Sequence, residues 1–341
     1  MLDALHTLLD ALPEGVVQLR DGLVLEANDA ARRCLPQLEP GAPLPDCLAL
    51  PGRSPAGTGT FTQNAVSYSF SFTRSEEGAV IVFRPAPQAV LTAGQLDGAL
   101  RQLRQLLGEF LAELGQENQT APAFGKSYYR AFRLMNNLDY LRQAADGGVT
   151  PARTALDLDA LCRETVDRAR ERLSMAGPAL DYEGLAGGLL IPGDPELLRR
   201  LLLGLIANAA RACPEGRLTL SARRAGSRAL LTLSDNGPLP DQRQLDALLS
   251  RSDREDIPLP GQGAGLGLTI ARDIVALHNG SLLVEWGQSS PIVVVSLPTG
   301  PMDGRTSVRS PRVQADGGLD PVLVELADVL PAEAFPLDEL R

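Results

Sequence analysis

Histidine is almost missing from this chain: 341 residues contain only His6 and His278. Chemistry that needs an imidazole anywhere between those two positions has none to use. Cysteine is nearly as sparse. Cys34, Cys47, Cys162 and Cys213 stand far apart with no CxxC pair, which excludes a zinc ribbon or a disulfide framework and reads as four reduced thiols. No run approaches the ~18 apolar residues of a membrane span, and the first residues lack the basic start of a signal peptide, so the expectation is a cytoplasmic chain. Basic residues are the minority sign, 32 against 42 acidic, for a net charge of −10. That balance argues against non-specific binding to nucleic acid.

What the chain does hold is enough apolar material, 44% of its residues, for real cores, and its length suggests two or three domains. Residues 1–86 read as a small α+β module. Leu5 to Leu12 suggests a helix, Gly15–Leu19 and Leu23–Glu26 a hairpin turned at Asp21-Gly22, and Asn28-Asp29 the start of a short helix ending near Cys34. After a proline-rich loop, Thr58–Arg74 and Ala79–Arg84 are β-rich. Residues 91–148 turn helical. Leu96, Leu100, Leu103, Leu107, Phe110 and Leu114 alternate spacings of four and three, a heptad seam, and Tyr128, Phe132, Met135, Leu138 and Leu141 follow along a second helix. Such a hairpin cannot bury its apolar face alone, so the pattern predicts a homodimer through Leu96–Leu141, two antiparallel hairpins forming a four-helix bundle.

Residues 151–298 read as one α/β domain. Leu161, Val166, Ala169 and Leu173 mark a helix, and Asp194-Pro195, an N-cap followed by proline at the first helical position, starts another that runs to about Cys213. Strands are expected at Leu189–Ile191, Arg217–Ala222, Arg228–Ser234, Ser281–Trp286 and Ile292–Leu297, with Asn236–Gln262 as an irregular, lid-like segment. Residues 299–341 form a Pro-, Gly- and Asp-rich tail, expected to be partly disordered, with a docking helix begun by Asp320-Pro321 and faced by Val322, Leu326 and Leu330.

Three segments of the α/β domain bear on chemistry. Glycines alternate at Gly261, Gly263, Gly265 and Gly267, directly before a helix with Leu266, Ile270, Ile274 and Leu277 on one face and a stop at Asn279-Gly280. Bare N–H groups and the positive end of a helix dipole hold phosphate, but flexible turns also use glycine, so the loop alone leaves both readings open. Asn208 lies in register with Leu201, Leu205 and Ala212, which turns its amide inward; a core amide bonded to a nearby carbonyl is the plainer account. Asp235-Asn236-Gly237-Pro238 puts a carboxylate at a strand tip, by itself only a good turn.

In this order the segments resemble the ATP-binding domain of sensor histidine kinases, of the Bergerat or GHKL type. LLRRLLLGLIANAARA is similar to the N box, DNGP to the G1 box and GAGLGLTIARDIVALHNG to the G2 box. Leu96–Asp146 resembles that family's dimerisation and phosphotransfer hairpin, and LLDALPEGVVQLRDGLVLEANDAA resembles a PAS-type sensor. The resemblance implies an α+β multidomain chain: a PAS-like α/β sensor, a dimeric helical bundle and a Bergerat-type α/β sandwich. It implies ATP and Mg²⁺ as ligands. Asn208 would help hold Mg²⁺, Arg211 would stand near the phosphates where the family usually has lysine, and Asp235 would bond the adenine amino group. Gly237 would let the backbone approach the base, and Gly263, Gly265, Leu266, Gly267 and Leu268 would line the phosphates, with Arg251 and Arg254 as weaker phosphate candidates.

The departures matter as much. Gly204 replaces the first N-box asparagine, Ala212 the aromatic that packs on adenine, and Leu239 the second G1 glycine. Each removes about 1 kcal/mol of nucleotide binding, judged from stacking and hydrogen-bond strengths. In the hairpin, RQLRQLLGEFLAEL aligns so that the phosphoacceptor histidine position is Arg101 and the neighbouring acid Gln102, and no shift of alignment supplies a histidine. Arginine, with a pKa above about 12, does not serve as a base. Gln105 stands where the family's phosphatases orient water, although an exposed helix glutamine is the better account, and His278 stands where the family has a structural histidine. The expectation is therefore a nucleotide-dependent regulator or trans kinase in a two-component-type pathway, partnered by a response regulator or another signalling protein. The alternatives are a pseudokinase that binds such a partner without using ATP, and a GHKL kinase acting on Ser or Thr, against which the hairpin counts.

Overall fold

The computed structural model describes residues 9–10, 12–50, 54–64, 66–86, 93–114, 121–185, 187–237, 266–286, 291–300 and 319–335. Strands β1 (Gly15–Arg20) and β2 (Leu23–Ala27) turn at Asp21-Gly22, where both residues adopt positive φ. Helix α1 (Asp29–Cys34) is capped by Asn28, whose Oδ1 accepts the N–H groups of Ala31 and Val16. Its Nδ2 donates to the carbonyls of Leu9 and Glu14, so one side chain ties the hairpin to its neighbours. The β-rich run that follows is a hairpin, β3 (Ala56–Gln63) and β4 (Val66–Ser75), continued by β5 (Gly78–Pro85).

The long helices α2 (Ala93–Leu114) and α3 (Ala121–Ala145) pack against each other. Their faces differ from the simple heptad reading. Leu106 and Ala99 are buried on α2, whereas Leu96, Leu100 and Leu107 are exposed; the side chains of Phe110 and Leu114 lie outside the described residues. On α3 the core takes Tyr129, Leu134, Tyr140 and Leu141, while Tyr128 and Met135 point outward. The predicted single stripe is thus divided between this chain's core and its surface, because α3 also packs on elements far along the sequence. No helix among the described residues is long and apolar enough to cross a membrane.

Next come β6 (Thr154–Asp157), α4 (Leu158–Leu173), β7 (Ala179–Glu183), β8 (Leu190–Gly193) and α5 (Pro195–Ala212). β9 (Arg217–Ala225) and β10 (Arg228–Asp235) follow, then α6 (Leu266–Leu277), β11 (Ser281–Trp286) and β12 (Pro291–Pro298). The tail contributes a one-turn helix, α7 (Pro321–Glu325). The sequence misses β6 and β7, both short. β6 pairs only with β8, and β7 joins the main sheet in parallel with β9.

The main sheet has ten strands in the order β2-β1-β5-β4-β3-β11-β12-β10-β9-β7. Residue ranges that the sequence separates into a sensor and an α/β module therefore share one hydrogen-bonded sheet, joined where β3 runs antiparallel to β11. Two glycines make that junction fit. A Cβ on Gly59 would lie 2.6 Å from the Leu282 carbonyl oxygen and equally close to the Phe70 ring. On Gly57 it would lie 2.7 Å from the Val284 carbonyl oxygen, with the Phe72 ring closer still. Leu283 and Val294 from the second half pack in the same core as Phe61, Phe70, Ile81 and Phe83 from the first.

His278 shows what the second histidine is for. It is buried at the end of α6, its Nε2 accepts the Asp194 backbone N–H at 3.0 Å, and its Nδ1 lies 2.7 Å from the Ile274 carbonyl, to which it donates. The helix stop is also sharper than its sequence signal. Asn279, not Gly280, takes the left-handed φ of 54°, while Gly280 is needed for space, since a Cβ there would lie 2.7 Å from the Ser296 carbonyl oxygen.

Two outcomes follow from this packing. Gly59→Val forces β3 away from β11 and should cost about 1–3 kcal/mol, the usual range for overpacking, read as a lowered Tm; an unchanged Tm would mean the two halves do not share a sheet. Burial holds the His278 pKa below its ordinary value of 6.5, although its bond to Ile274 and the Asp194 charge work the other way. The neutral ring is then the native form, so its stabilisation is complete above pH 6.5 and lost as pH falls through the depressed native value. Thermal melts should show stability falling in that window, and His278→Gln should flatten the fall.

Candidate functional site

Helix α5 is built from its cap inward. Asp194 Oδ1 accepts the N–H groups of Glu196 and Leu197, Pro195 supplies a preset φ at the first position, and Leu198, Leu201, Leu202, Leu205 and Ile206 bury one face. That face fixes the rotation of the helix and so decides where Asn208 points. Its half-buried amide lies against the first turn of α6: a Cβ built on Gly267 would sit 3.5 Å from Nδ2 and 3.7 Å from Oδ1. Among the described residues no partner bonds this amide. The core-amide account, which requires a neighbouring carbonyl, finds none here.

Leu266 is buried and Leu268 half-buried, so apolar contacts anchor the start of α6, whose first N–H groups have no partner within the helix itself. Asn208, Leu266, Gly267 and Leu268 are thereby brought together. Gly263, Gly265, Arg251, Arg254 and the segment 238–262 lie outside the described residues.

The second half of the site is the end of β10. Asp235 Oδ1 accepts the Gly237 N–H at 2.8 Å, and Oδ2 has no hydrogen bond among the described residues. Burial raises the pKa of this carboxyl, and the Gly237 bond offsets only part of that. Gly237 is required by space, because a Cβ there would lie 2.9 Å from Asp235 Oδ1 and 3.2 Å from the Cys213 sulfur. Asn236, given no role by the sequence reading, holds the turn. Its Oδ1 accepts the Arg217 N–H at 2.7 Å and the Cys213 thiol at 3.6 Å. Since Cys213 caps the C-terminus of α5, the helix that presents Asn208 also anchors the turn that presents Asp235.

Arg211, expected beside the phosphates, makes its contact with the tail. Its guanidinium reaches Asp328 in the tail at 3.2 Å, and its Nε is buried without a hydrogen-bond partner. Burial lowers its pKa, countered by the Asp328 charge. Three further contacts are invisible in the sequence. Tyr140 on α3 donates to Asp273 on α6 at 2.7 Å, the Arg200 guanidinium lies 4.7 Å over the Tyr140 ring, and Arg200 also bonds Asn137 Oδ1 at 2.9 Å. They tie the helical hairpin to both helices of the site. Arg101 is exposed on α2, and both nitrogens of His278 are engaged with the backbone. Among the described residues no group of three or more His, Cys, Asp or Glu side chains could hold a metal, so a cation here would rest on single oxygen donors such as Asn208.

The segment that holds this geometry is similar to known proteins. Residues 193–309 match the family of histidine kinase-, DNA gyrase B-, and HSP90-like ATPases. The probable sensor kinase SilS of Salmonella typhimurium is 30% identical over 183 residues, covering 51% of this chain and 36% of SilS. The signal transduction histidine-protein kinase BaeS of Escherichia coli is 27% identical over 216 residues, 62% of this chain and 44% of BaeS. Among solved structures, the histidine kinase AdeS of Acinetobacter baumannii aligns with 61% of this chain and 99% of its own, at 17% identity and a TM-score of 0.47. The chain spans less than half the length of these two curated relatives. Asn208, Asp235, Gly237 and the described start of α6 all fall inside residues 193–309, the segment that matches the histidine kinase-, DNA gyrase B-, and HSP90-like ATPase family.

Proposed function

We propose that the chain binds Mg-ATP between α5 and α6 and acts in two-component-type signalling without an acceptor histidine of its own. The observation that carries this reading is the Asn208 amide, uncommitted among the described residues and set against Gly267 in the first turn of α6. A bound Mg-ATP would supply a polyphosphate whose charge the ion neutralises. Asn208 would offer that ion a hard oxygen donor, and the first-turn N–H groups of α6 would face phosphate oxygens. Asp235 would accept the adenine amino group through Oδ2, with Gly237 giving the base its clearance.

The remaining segments take roles around that site. Residues 1–86, with hairpin, short helix and three further strands in order, would serve as a PAS-like sensor. Residues 91–148 would dimerise through the exposed Leu96, Leu100, Leu107, Tyr128 and Met135. With Arg101 at the acceptor position and His278 locked, the 151–298 domain would regulate by its nucleotide state or act on a residue of a partner, a response regulator or another signalling protein. A second reading, a partner-binding pseudokinase that does not use ATP, draws on one observation: the Arg211–Asp328 ion pair occupies the cation expected at the phosphates.

Mg-ATP should raise the Tm of the wild type, and Asn208→Ala or Asp235→Ala should remove the rise. Labelled at the γ-phosphate, it should leave no acid-labile phosphate on the chain alone. No shift up to millimolar ATP would sink the ATP reading and leave the interaction protein. For assembly, light scattering should give a dimer mass that Leu107→Glu halves; a monomeric wild type would overturn the bundle.

A further inference from the structure

The tail segment 319–335 is docked against three helices belonging to two different parts of the molecule. Val322, Leu323, Leu326, Leu330 and Phe335 are buried there, although α7 is only one turn long and has no stability of its own. Three of its acidic residues, Asp320, Glu325 and Asp328, each pair with arginines. Asp320 pairs with Arg168 and Arg172 on α4 at 2.8 and 3.5 Å. Glu325 pairs with Arg133 on α3 at 3.1 Å and Arg200 on α5 at 3.7 Å. Asp328 takes Arg130 at 3.0 Å and Arg133 at 2.7 Å from α3, and Arg211 at 3.2 Å from α5. The segment is a strap joining the hairpin to the ATPase helices.

Around the strap, Arg130, Arg133, Arg200 and Arg211 all turn toward Glu325 and Asp328. Arg211 is the least satisfied, with one contact to Asp328 and a buried Nε left over. It also lies one helical turn from Asn208, on the same side of α5. A polyphosphate at Asn208 would offer that guanidinium a denser anion and paired acceptors, the geometry arginine binds best.

We propose that the tail is a built-in competitor of the nucleotide: Asp328 is an internal anion that withholds Arg211 from the phosphates, and tail docking and ATP binding oppose each other. The proposal rests on the Mg-ATP reading of the Asn208 site and specifies its regulation. Binding of ATP draws Arg211 off Asp328 and loosens the strap; an undocked strap leaves Arg211 free for ATP.

A second route to the same state avoids the ion pairs. Phe335 lies so close to α3 that a Cβ on Gly125 would come within 2.3 Å of its carbonyl oxygen, so Gly125→Ala blocks docking while favouring the helix it sits in. Calorimetric titration of the full chain with a non-hydrolysable Mg-ATP analogue should show Asp328→Asn and Gly125→Ala each binding roughly tenfold tighter, a change of about 1.4 kcal/mol. Both gains should vanish in an Arg211→Gln background. In the wild type, hydrogen exchange across 319–335 should speed up on adding the analogue. Measurable but equal binding by wild type, Asp328→Asn and Gly125→Ala, with exchange unmoved, overturns the competition and leaves the ATP site standing. No binding by any form removes the ATP site itself, and the competition with it.

Discussion

Asp194 is the residue on which the site's geometry hangs. Its carboxylate receives the first N–H groups of α5 and, through Oδ2, the N–H of Ala152 at 2.7 Å, just past the helical hairpin. Its own N–H goes to His278 at the far end of α6. One buried residue thus sets the start of the helix that bears Asn208, the end of the helix that begins at Leu266, and the chain's exit from the hairpin. A carboxylate with three backbone donors is held in one orientation, and its donors belong to two segments, the first turn of α5 and the residues after the hairpin. The two helices present the Asn208 amide and the first turn of α6 to one volume because Asp194 and their shared core hold them together.

Much of this was readable from the sequence where the signal is local. The Asp194-Pro195 start, the leucine register that turns Asn208 inward, and the Asp235–Gly237 turn each depend on neighbours a few residues away. What escaped depends on partners far along the chain. Nothing in ELADVL marks Asp328 as special, because its arginines stand 117 to 198 residues earlier. β6 and β7 are short and half-exposed, with no alternation strong enough to show, and β7 is recognisable only once β9 runs beside it. In the same way AGTGTF reads as a weak strand until Phe70 and Phe72 are seen lying across its glycines. The face of α3 was misjudged for a related reason: it has two packing partners, and a single stripe describes neither.

The ion-pair network follows from an unusual choice of cation. Of 32 basic residues only Lys126 is a lysine. Arg133 shows what that permits, using Nε for Glu325 and a terminal nitrogen for Asp328, two carboxylates on one rigid fork. Burial alone would push the Asp328 carboxyl up, but Arg133, Arg211 and Arg130 outweigh it and hold it below the ordinary carboxylate range. Its contribution to stability is therefore present at neutral pH and disappears only in acid.

The junction of β3 with β11 has a mechanical consequence. Hydrogen-bonded strands share their twist, so a sheet that runs through both halves of a molecule behaves as one elastic plate. β11 begins only four residues after α6 ends, across the rigid Asn279-Gly280 corner. Bending the plate at its amino-terminal margin therefore rotates the strand on which α6 is mounted. The first half of the chain has a lever on the second that does not pass through the helical hairpin.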